Sequence, residues 1–304
     1  MSELTLQTEQ GRRALEPGCL RDWLRQVSTS ALASGALKSF DTACERLQDA
    51  ELPFLVRQLA NLQRKQQATA AQQQAPKPRN PFLPYEPELY VADLGDRHLC
   101  LLNKFNVLDD HLLIITRDFA SQDDWLTGAD FQALALTLAE FDGFVFYNGG
   151  TLAGASQPHK HLQLIPFDAF APGTELPLLE WLRRDETWSS RGELTRLPYR
   201  HALAPLALDW SDPATAGEML WHTYVQLLER CGLPVEGPQA LAPYNLLAAR
   251  NWMMIVPRRR EHCLGISVNS LGFAGALLVQ DAAQGEQLRQ LGPLQLLTEV
   301  AIAR

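Results

Sequence analysis

The stretch GASQPHKHLQLIP, residues 154–166, begins with a turn-forming segment and then alternates polar and apolar side chains. Such alternation predicts a β-strand, in which successive side chains point to opposite faces. His159, His161 and Gln163 therefore share one face of this strand, while Leu162 and Leu164 lie on the other. Two imidazoles and an amide on one face are placed to converge on a single ligand.

The segment before the histidines, YNGGTLAGASQP at residues 147–158, combines small residues with side-chain donors. Small residues such as Gly154 let backbone N–H groups approach an anion closely, and Ser156 and Gln157 add donors of their own. Asn148 closes the preceding strand, where its side chain either forms the turn or binds ribose or phosphate. This loop therefore predicts a phosphate site next to the histidines.

The residue types on the histidine face suit nucleophilic attack on phosphorus. A neutral imidazole is a good nucleophile near pH 7, because it need not lose a proton first. The product would be a nucleotidyl-histidine, whose P–N bond remains reactive toward a second phosphate-bearing acceptor. Two other interpretations stay open, a metal-binding histidine pair and ordinary half-buried strand histidines. No third histidine or carboxylate follows at a familiar metal-ligand spacing, so no protein-held metal is predicted.

Composition narrows the class of protein. The chain has 304 residues, a formal net charge of −8 and 46% hydrophobic residues, which argues for a globular core and against a nucleic-acid partner. The N-terminus has no apolar signal segment, and no apolar run reaches the ~20 residues that cross a bilayer. Five cysteines without a CxxC pair fit a reducing compartment. We therefore expect a soluble, cytoplasmic protein with no membrane partner.

Hydrophobic spacing divides the chain into three regions. Residues 11–67 place apolar side chains three and four apart, which predicts an N-terminal helical segment, followed by a Gln- and Ala-rich linker, over residues 1–75. Strand-like segments and helices follow in residues 76–190 and again in residues 191–304. This order predicts an α+β fold with an antiparallel sheet flanked by helices. Neither the glycine-rich dinucleotide motif nor the P-loop motif occurs at a strand-to-helix junction.

The histidine stretch resembles the signature of the histidine-triad superfamily. It is most similar to the diadenosine tetraphosphate phosphorylase (ATP adenylyltransferase) family, in which glutamine replaces the third histidine. Four other blocks resemble that family in the same order: NPFLPYEPELYV, LLNKFNVLDDHLLIIT, PYNLLAARNWMMIVPR and SLGFAGALLV. The resemblance covers roughly residues 80–300. It implies a HIT-like fold, with residues 76–190 and 191–304 building one sheet and one catalytic unit.

The resemblance also implies roles for the three polar residues of the strand. His161 would be the nucleophile that takes AMP, His159 would support it through its backbone carbonyl, and Gln163 would bind the phosphoryl oxygen. The implied reaction is reversible: diadenosine tetraphosphate and phosphate give ATP and ADP through adenylyl-His161. A divalent cation, Mg²⁺ or a similar ion, would be carried mainly by the substrate.

The matching blocks also imply substrate contacts at Asn103 and Lys104. Asn245 is a further candidate contact, and Arg258 is another because it lies in a basic cluster that suits an anionic substrate in a chain of net charge −8. The expected partners are a dinucleoside polyphosphate, ATP, ADP and phosphate or another acceptor anion such as sulfate, with a monomer or homodimer as the assembly. Two rivals remain: a related nucleotidyl-sugar transferase, and a nucleotide-binding sensor without catalysis. An intact His159, His161 and Gln163 set favours the enzyme.

Overall fold

The computed structural model describes residues 13–40, 42–59, 80–170, 173–240 and 242–304. The helices in these ranges are α1 Leu20–Ser34, α2 Gly128–Glu140, α3 Pro177–Arg184, α4 Trp188–Arg191, α5 Pro213–Arg230, α6 Ser270–Phe273, α7 Ala282–Leu291 and α8 Pro293–Val300. The strands are β1 Thr42–Asp49, β2 Leu52–Leu59, β3 Tyr90–Leu94, β4 His98–Leu102, β5 Leu112–Thr116, β6 Gly143–Gly149, β7 His161–Pro166, β8 Ala202–Pro205, β9 Tyr244–Ala249, β10 Trp252–Pro257, β11 His262–Cys263, β12 Ile266–Ser267 and β13 Ala276–Val279. Within these ranges, no helix combines the length and apolar character needed to cross a bilayer.

The centre of the molecule is an eight-stranded sheet in the order β3-β4-β5-β7-β6-β9-β10-β8. Every neighbouring pair in it is antiparallel, which confirms the predicted α+β class. The strands β8, β9 and β10 come from residues beyond 191, so the C-terminal region completes the sheet that carries the histidine strand. That strand, β7, pairs with β5 on one side and β6 on the other.

Alternation along the central strands assigns the two faces of this sheet. Leu112, Ile114, Leu162 and Leu164 point to one face, where they join the apolar core formed with α1, α2 and α5. The helix α2 begins with a capping box, in which the Thr127 side chain accepts from the Asp130 backbone N–H and the Asp130 side chain accepts from the Thr127 backbone N–H. These helices therefore cover the face of the sheet opposite the histidine side chains.

The opposite face carries two separate apolar clusters. Leu99, Leu101, Leu113 and Ile115 pack under Phe82 at the β4–β5 side. The second cluster includes residues of β6, β9 and β10 together with α3, α7, α8 and the small three-stranded sheet β1-β2-β13. The polar positions of β7 lie between the two clusters, because they share a face with residues of both. This seam holds the histidines.

The prediction of helix over residues 11–67 is wrong for residues 42–59. Residues 42–59 form the hairpin β1–β2, and β2 also pairs in parallel with β13. Buried Leu52 and Phe54 of β2 pack beside Trp181, whose indole N–H donates to the Pro53 carbonyl at 3.1 Å. This nonlocal pairing overrides the local helical spacing. The rest of the predicted N-terminal segment, residues 1–12 and 60–75, lies outside the described residues.

Candidate active site

His161 opens β7 and is held in one tautomer by its neighbour. Its Nδ1–H donates to the His159 carbonyl at 2.8 Å, which is the contact anticipated from the sequence. The proton therefore resides on Nδ1, and Nε2 keeps a lone pair. No described residue hydrogen-bonds that Nε2. A fixed ring with one free basic nitrogen has the geometry of a nucleophile.

Burial keeps the His161 ring neutral. The side chain is 4% exposed, and the Phe82 ring lies edge-on to it with centroids 5.1 Å apart. Removal from water disfavours the imidazolium and lowers the pKa of His161 to about 4, with the nearby His159 contributing in the same direction. At pH 7 almost every molecule therefore carries the nucleophilic form.

His159 differs from His161 because both of its ring nitrogens are engaged. Its Nε2–H donates to the Thr116 carbonyl at 2.9 Å, and its Nδ1 accepts from the Asn80 amide at 2.8 Å. Burial lowers its pKa as well. The ring is therefore fixed in place and has no free nitrogen for chemistry. Its contribution to the site is the carbonyl that binds His161.

Gln163 is oriented by a residue that sequence reasoning missed, His111. The His111 Nε2–H donates to Gln163 Oε1 at 2.9 Å, and its Nδ1 faces the Asn103 amide at 3.3 Å. With its oxygen engaged, Gln163 presents its NH₂ group as the donor available to a ligand. Burial lowers the pKa of His111 to about 4, so the ring is neutral at pH 7 and its Nδ1 can accept from the Asn103 amide. His111 stands two residues before Leu113, the register partner of Gln163.

Two of the predicted phosphate contacts lie at the end of β4. Asn103 contacts the ring of His111, which in turn donates to Gln163. Lys104 instead forms an ion pair with Glu86, its Nζ lying 2.6 and 2.7 Å from the two carboxylate oxygens. Both partners are partly exposed, at 30% and 44% of the side chain, so the pair is weak and replaceable. A substrate phosphate can therefore compete for Lys104.

The predicted loop of residues 149–157 joins β6 to the histidine strand. Gly154 adopts φ +88, and a Cβ there would meet the Val268 carbonyl and Asn269 at 2.8 Å, so only glycine fits. This glycine is explained by packing against the chain before α6. Ser156 is exposed and Gln157 is partly buried. Both side chains with donors at the end of the loop are therefore at least partly accessible to solvent.

Arg258 does not lie at a surface. The side chain is 2% exposed, and burial lowers its pKa to about 9, which leaves it charged at neutral pH. Its five N–H groups donate to oxygens of the chain itself, namely those of Val300, Ala153, the Asn245 side chain, Arg260 and Glu261. No donor is left for a phosphate.

Asn245 and Asn148 belong to the same buried network. The Asn245 amide nitrogen lies 2.9 Å from each of three oxygens, Asn148 Oδ1, the Ala153 carbonyl and Ser270 Oγ. Ser270 also donates to Asn148 Oδ1 at 2.7 Å. This placement contradicts the prediction that Asn245 and Arg258 contact the substrate directly, because their polar side-chain atoms form hydrogen bonds inside the protein. The network fixes the start of the loop at residues 148–153 and ties it to the C-terminal region.

Across the described ranges, no three His, Cys, Asp or Glu side chains come together in a way that would hold a metal ion. The five cysteines are all unpaired thiols.

Comparison with protein families identifies two matching models that together span most of the chain. The Ap4A phosphorylase N-terminal domain matches residues 10–184, where Ap4A denotes diadenosine tetraphosphate, and the ATP adenylyltransferase C-terminal domain matches residues 195–303. The first alone covers more than half of the chain, and its range includes His111, His159, His161 and Gln163.

Curated and solved relatives agree with these models. Diadenosine 5',5'''-P1,P4-tetraphosphate phosphorylase 2 of Saccharomyces cerevisiae is 32% identical over 248 residues, covering 70% of this chain and 73% of the relative. Protein APA1 of the same organism is 26% identical, covering 83% and 84%. The crystal structure of yeast Ap4A phosphorylase Apa2 superposes with a TM-score of 0.75 at 23% identity over 95% of this chain and 99% of that chain; its Ap4A complex gives 0.73 at 22% over the same shares. The protein therefore belongs to the diadenosine tetraphosphate phosphorylase (ATP adenylyltransferase) family.

Proposed function

We propose that this protein phosphorolyses diadenosine tetraphosphate, giving ATP and ADP through a covalent adenylyl group on His161. Three findings support the proposal: the family membership, the activity that names the 32% identical yeast relative, and the solved relative with Ap4A bound. The observation that carries it is the free Nε2 of a neutral, oriented His161.

In the first step, His161 Nε2 attacks the phosphorus atom of one adenosine-bearing phosphate. A P–N bond forms, the P–O bond to the next phosphate breaks, and ATP leaves. Positive charge develops on the ring during attack, and the His159 carbonyl that accepts the Nδ1–H stabilises it. The Gln163 NH₂ group donates to a nonbridging oxygen of the same phosphorus, where negative charge is redistributed.

In the second step, a phosphate oxygen attacks the adenylyl phosphorus and His161 leaves as the neutral imidazole. The product is ADP, and the P–N bond is the one broken. Gln163 holds the phosphoryl oxygen but cannot donate a proton as an imidazolium can, which suits transfer to an anion that is already nucleophilic. The reverse sequence makes diadenosine tetraphosphate from ATP and ADP.

We also propose that Mg²⁺ or a similar divalent ion accompanies the substrate. Since the described side chains build no three-ligand carboxylate, histidine or cysteine group, the phosphate oxygens of the substrate would supply most of its ligands. When bound, the ion neutralises part of the charge on the four linked phosphates. A reducing, cytoplasmic location is consistent with five free thiols.

A product assay tests the proposal against its rivals. The protein is incubated with radiolabelled diadenosine tetraphosphate, with and without phosphate, and nucleotides are separated by chromatography. The proposed activity yields equal ATP and ADP only when phosphate is present. A hydrolase would turn over without phosphate, a sensor would bind without turnover, and a uridylyltransferase would leave the adenosine compound unchanged.

A further inference from the structure

The ladder between β6 and β7 ends before the nucleophile. Register partners run from Gly143↔Pro166 to Phe146↔Gln163. Two residues further on, Asn148 would face His161 in an unbroken antiparallel pair. At that position β6 instead continues only with β9, while His161 continues with β5, where it pairs with Ile115. The two strands therefore separate at the catalytic residue.

The side chain of Gln122 fills the opening. Its Oε1 accepts from the His161 backbone N–H at 2.8 Å, and its Nε2 donates to the Asn148 carbonyl at 2.8 Å. These are the N–H and C=O groups that a continued ladder would join directly. One amide, with one acceptor and one donor, thus replaces one rung of the sheet.

Gln122 is itself held firmly by the loop of residues 119–126. The side chain is 2% exposed, its backbone N–H donates to the Pro158 carbonyl at 2.8 Å, and its carbonyl accepts from the Tyr147 hydroxyl at 2.7 Å. In the same loop, the Ala120 carbonyl accepts from the Lys160 backbone N–H at 2.8 Å. The inserted amide is therefore a fixed spacer, attached to both strands that it separates.

We propose that Gln122 is a positioning residue for adenylyl transfer, which sets the separation between the His161 ring and the loop that follows Asn148. This inference rests on the proposed function. Directly paired strands lie ~4.8 Å apart, and an interposed amide holds them wider. Without that amide the strands either close into a direct pair or admit water. Each change moves Nε2 of His161 relative to the loop of residues 149–157, and transfer depends strongly on such alignment.

The test compares two variants that each lose one glutamine amide. Gln122→Met keeps the length of the side chain and removes both ladder contacts. Gln132→Met is the matched control, since Gln132 in α2 donates to the Ala214 carbonyl at the start of α5. We measure the rate of adenylyl-enzyme formation without phosphate, the KM for diadenosine tetraphosphate, and thermal unfolding. Gln122→Met is expected to slow the transfer about 100-fold with KM within about threefold, and Gln132→Met to stay within about twofold.

A second variant separates positioning from folding. In Gln122→Glu, the protonated carboxyl has one donor and one acceptor, as the amide does, whereas the carboxylate cannot donate to Asn148. Its transfer rate should rise at least tenfold, relative to wild type, as pH falls from 8 to 5.5. Wild-type rates for Gln122→Met, or a Gln122→Glu pH profile parallel to wild type, would overturn the inference. If the wild type formed no adenylyl-enzyme, the proposed function would fail and this inference with it.

Discussion

Two buried histidines of this protein, His161 and His201, share one local geometry but differ in the hydrogen bonding of their Nε2 atoms. His161 at the start of β7 donates from Nδ1 to the carbonyl two residues earlier, and His201 just before β8 does the same to Tyr199 at 2.9 Å. Burial lowers the pKa of both rings. However, Nε2 of His201 accepts from the Leu194 backbone N–H at 2.8 Å, whereas Nε2 of His161 meets no described partner.

This difference separates a structural histidine from a reactive one. A buried polar atom normally has a hydrogen-bond partner, and an unused lone pair in an oriented ring is what a substrate can engage. Arg258 shows the converse case. All five of its guanidinium N–H groups have partners inside the protein, so none is left for a substrate. The sequence predicted a substrate contact at both Arg258 and His161.

The largest difference in turnover is expected between the variants His161→Ala and His201→Ala. His161→Ala should lower turnover by about 10⁴-fold or more, because no other group can form the P–N bond, while substrate binding and fold persist. His201→Ala should lower thermal stability yet keep the turnover of folded protein within about threefold. Steady-state kinetics and thermal unfolding of both variants check this pair. Equal losses of activity would remove the distinction drawn between them.

The hydrogen-bonded pair of Gln163 and His111 should show the next largest effect. Gln163→Ala removes a donor to the phosphoryl oxygen and should lower kcat about 100-fold. His111→Ala frees that amide to rotate and should lower kcat about tenfold. Because His111 is inferred to act through Gln163, the double variant should be no slower than Gln163→Ala alone. A double-mutant cycle on kcat measures this, and additive losses would show that His111 acts by another route.

The depressed pKa of His161 predicts an unusual pH profile. Its folded value is about 4, so the ring stays neutral and the rate of adenylyl-enzyme formation should be nearly constant from pH 8 to 5.5. A solvent-exposed histidine would lose half of its nucleophilic form near pH 6.5. Rapid-quench measurement of the first step across this range provides the check. A midpoint near 6.5 would mean that the ring is hydrated in the working enzyme.

The same burial links protonation to folding. His111 and His161 bind protons in the unfolded chain near pH 6.5 but in the native state only near pH 4. Between these values the unfolded state binds more protons, so stability should fall as pH drops, by up to about 1.4 kcal/mol per pH unit for each group. Urea unfolding at several pH values, with His111→Ala as the comparison, measures this slope.

Arg258 should give the smallest change in catalysis. Arg258→Met leaves several buried carbonyls without partners and should lower stability by about 3 kcal/mol, while KM of the folded enzyme stays within about fivefold. Denaturant unfolding and steady-state kinetics separate the two effects. If KM rose 100-fold at unchanged stability, Arg258 would have to meet the substrate directly.

The histidine strand could be predicted because its signal is local. Alternation alone places His159, His161 and Gln163 on one face, and the observed sheet keeps them there. The hairpin β1–β2 could not be found in the same way. Its turn residues Ala50 and Glu51 adopt positive φ values of 48 and 64 without glycine or asparagine, and the partner strand β13 lies over 200 residues away.

The supporting residues of the site were missed for a related reason. His111 and Gln122 act on residues 52 and 39 positions away, through contacts that exist only once the sheet is assembled. Arg258 illustrates the opposite error, since a basic cluster in a chain of net charge −8 suggested an anion site. Burial, which redirects a guanidinium from phosphate to backbone carbonyls, is a property of the packed protein and is not encoded in a short stretch.

The central claim is that Nε2 of His161 carries the nucleotide between the two steps. The most direct measurement is mass spectrometry of the peptide containing residues 154–166 after incubation with diadenosine tetraphosphate and no phosphate, with digestion kept at neutral or alkaline pH. We predict AMP attached to His161, lost as ADP when phosphate is added. A modification on another residue, or turnover without any adenylylated intermediate, would contradict the claim.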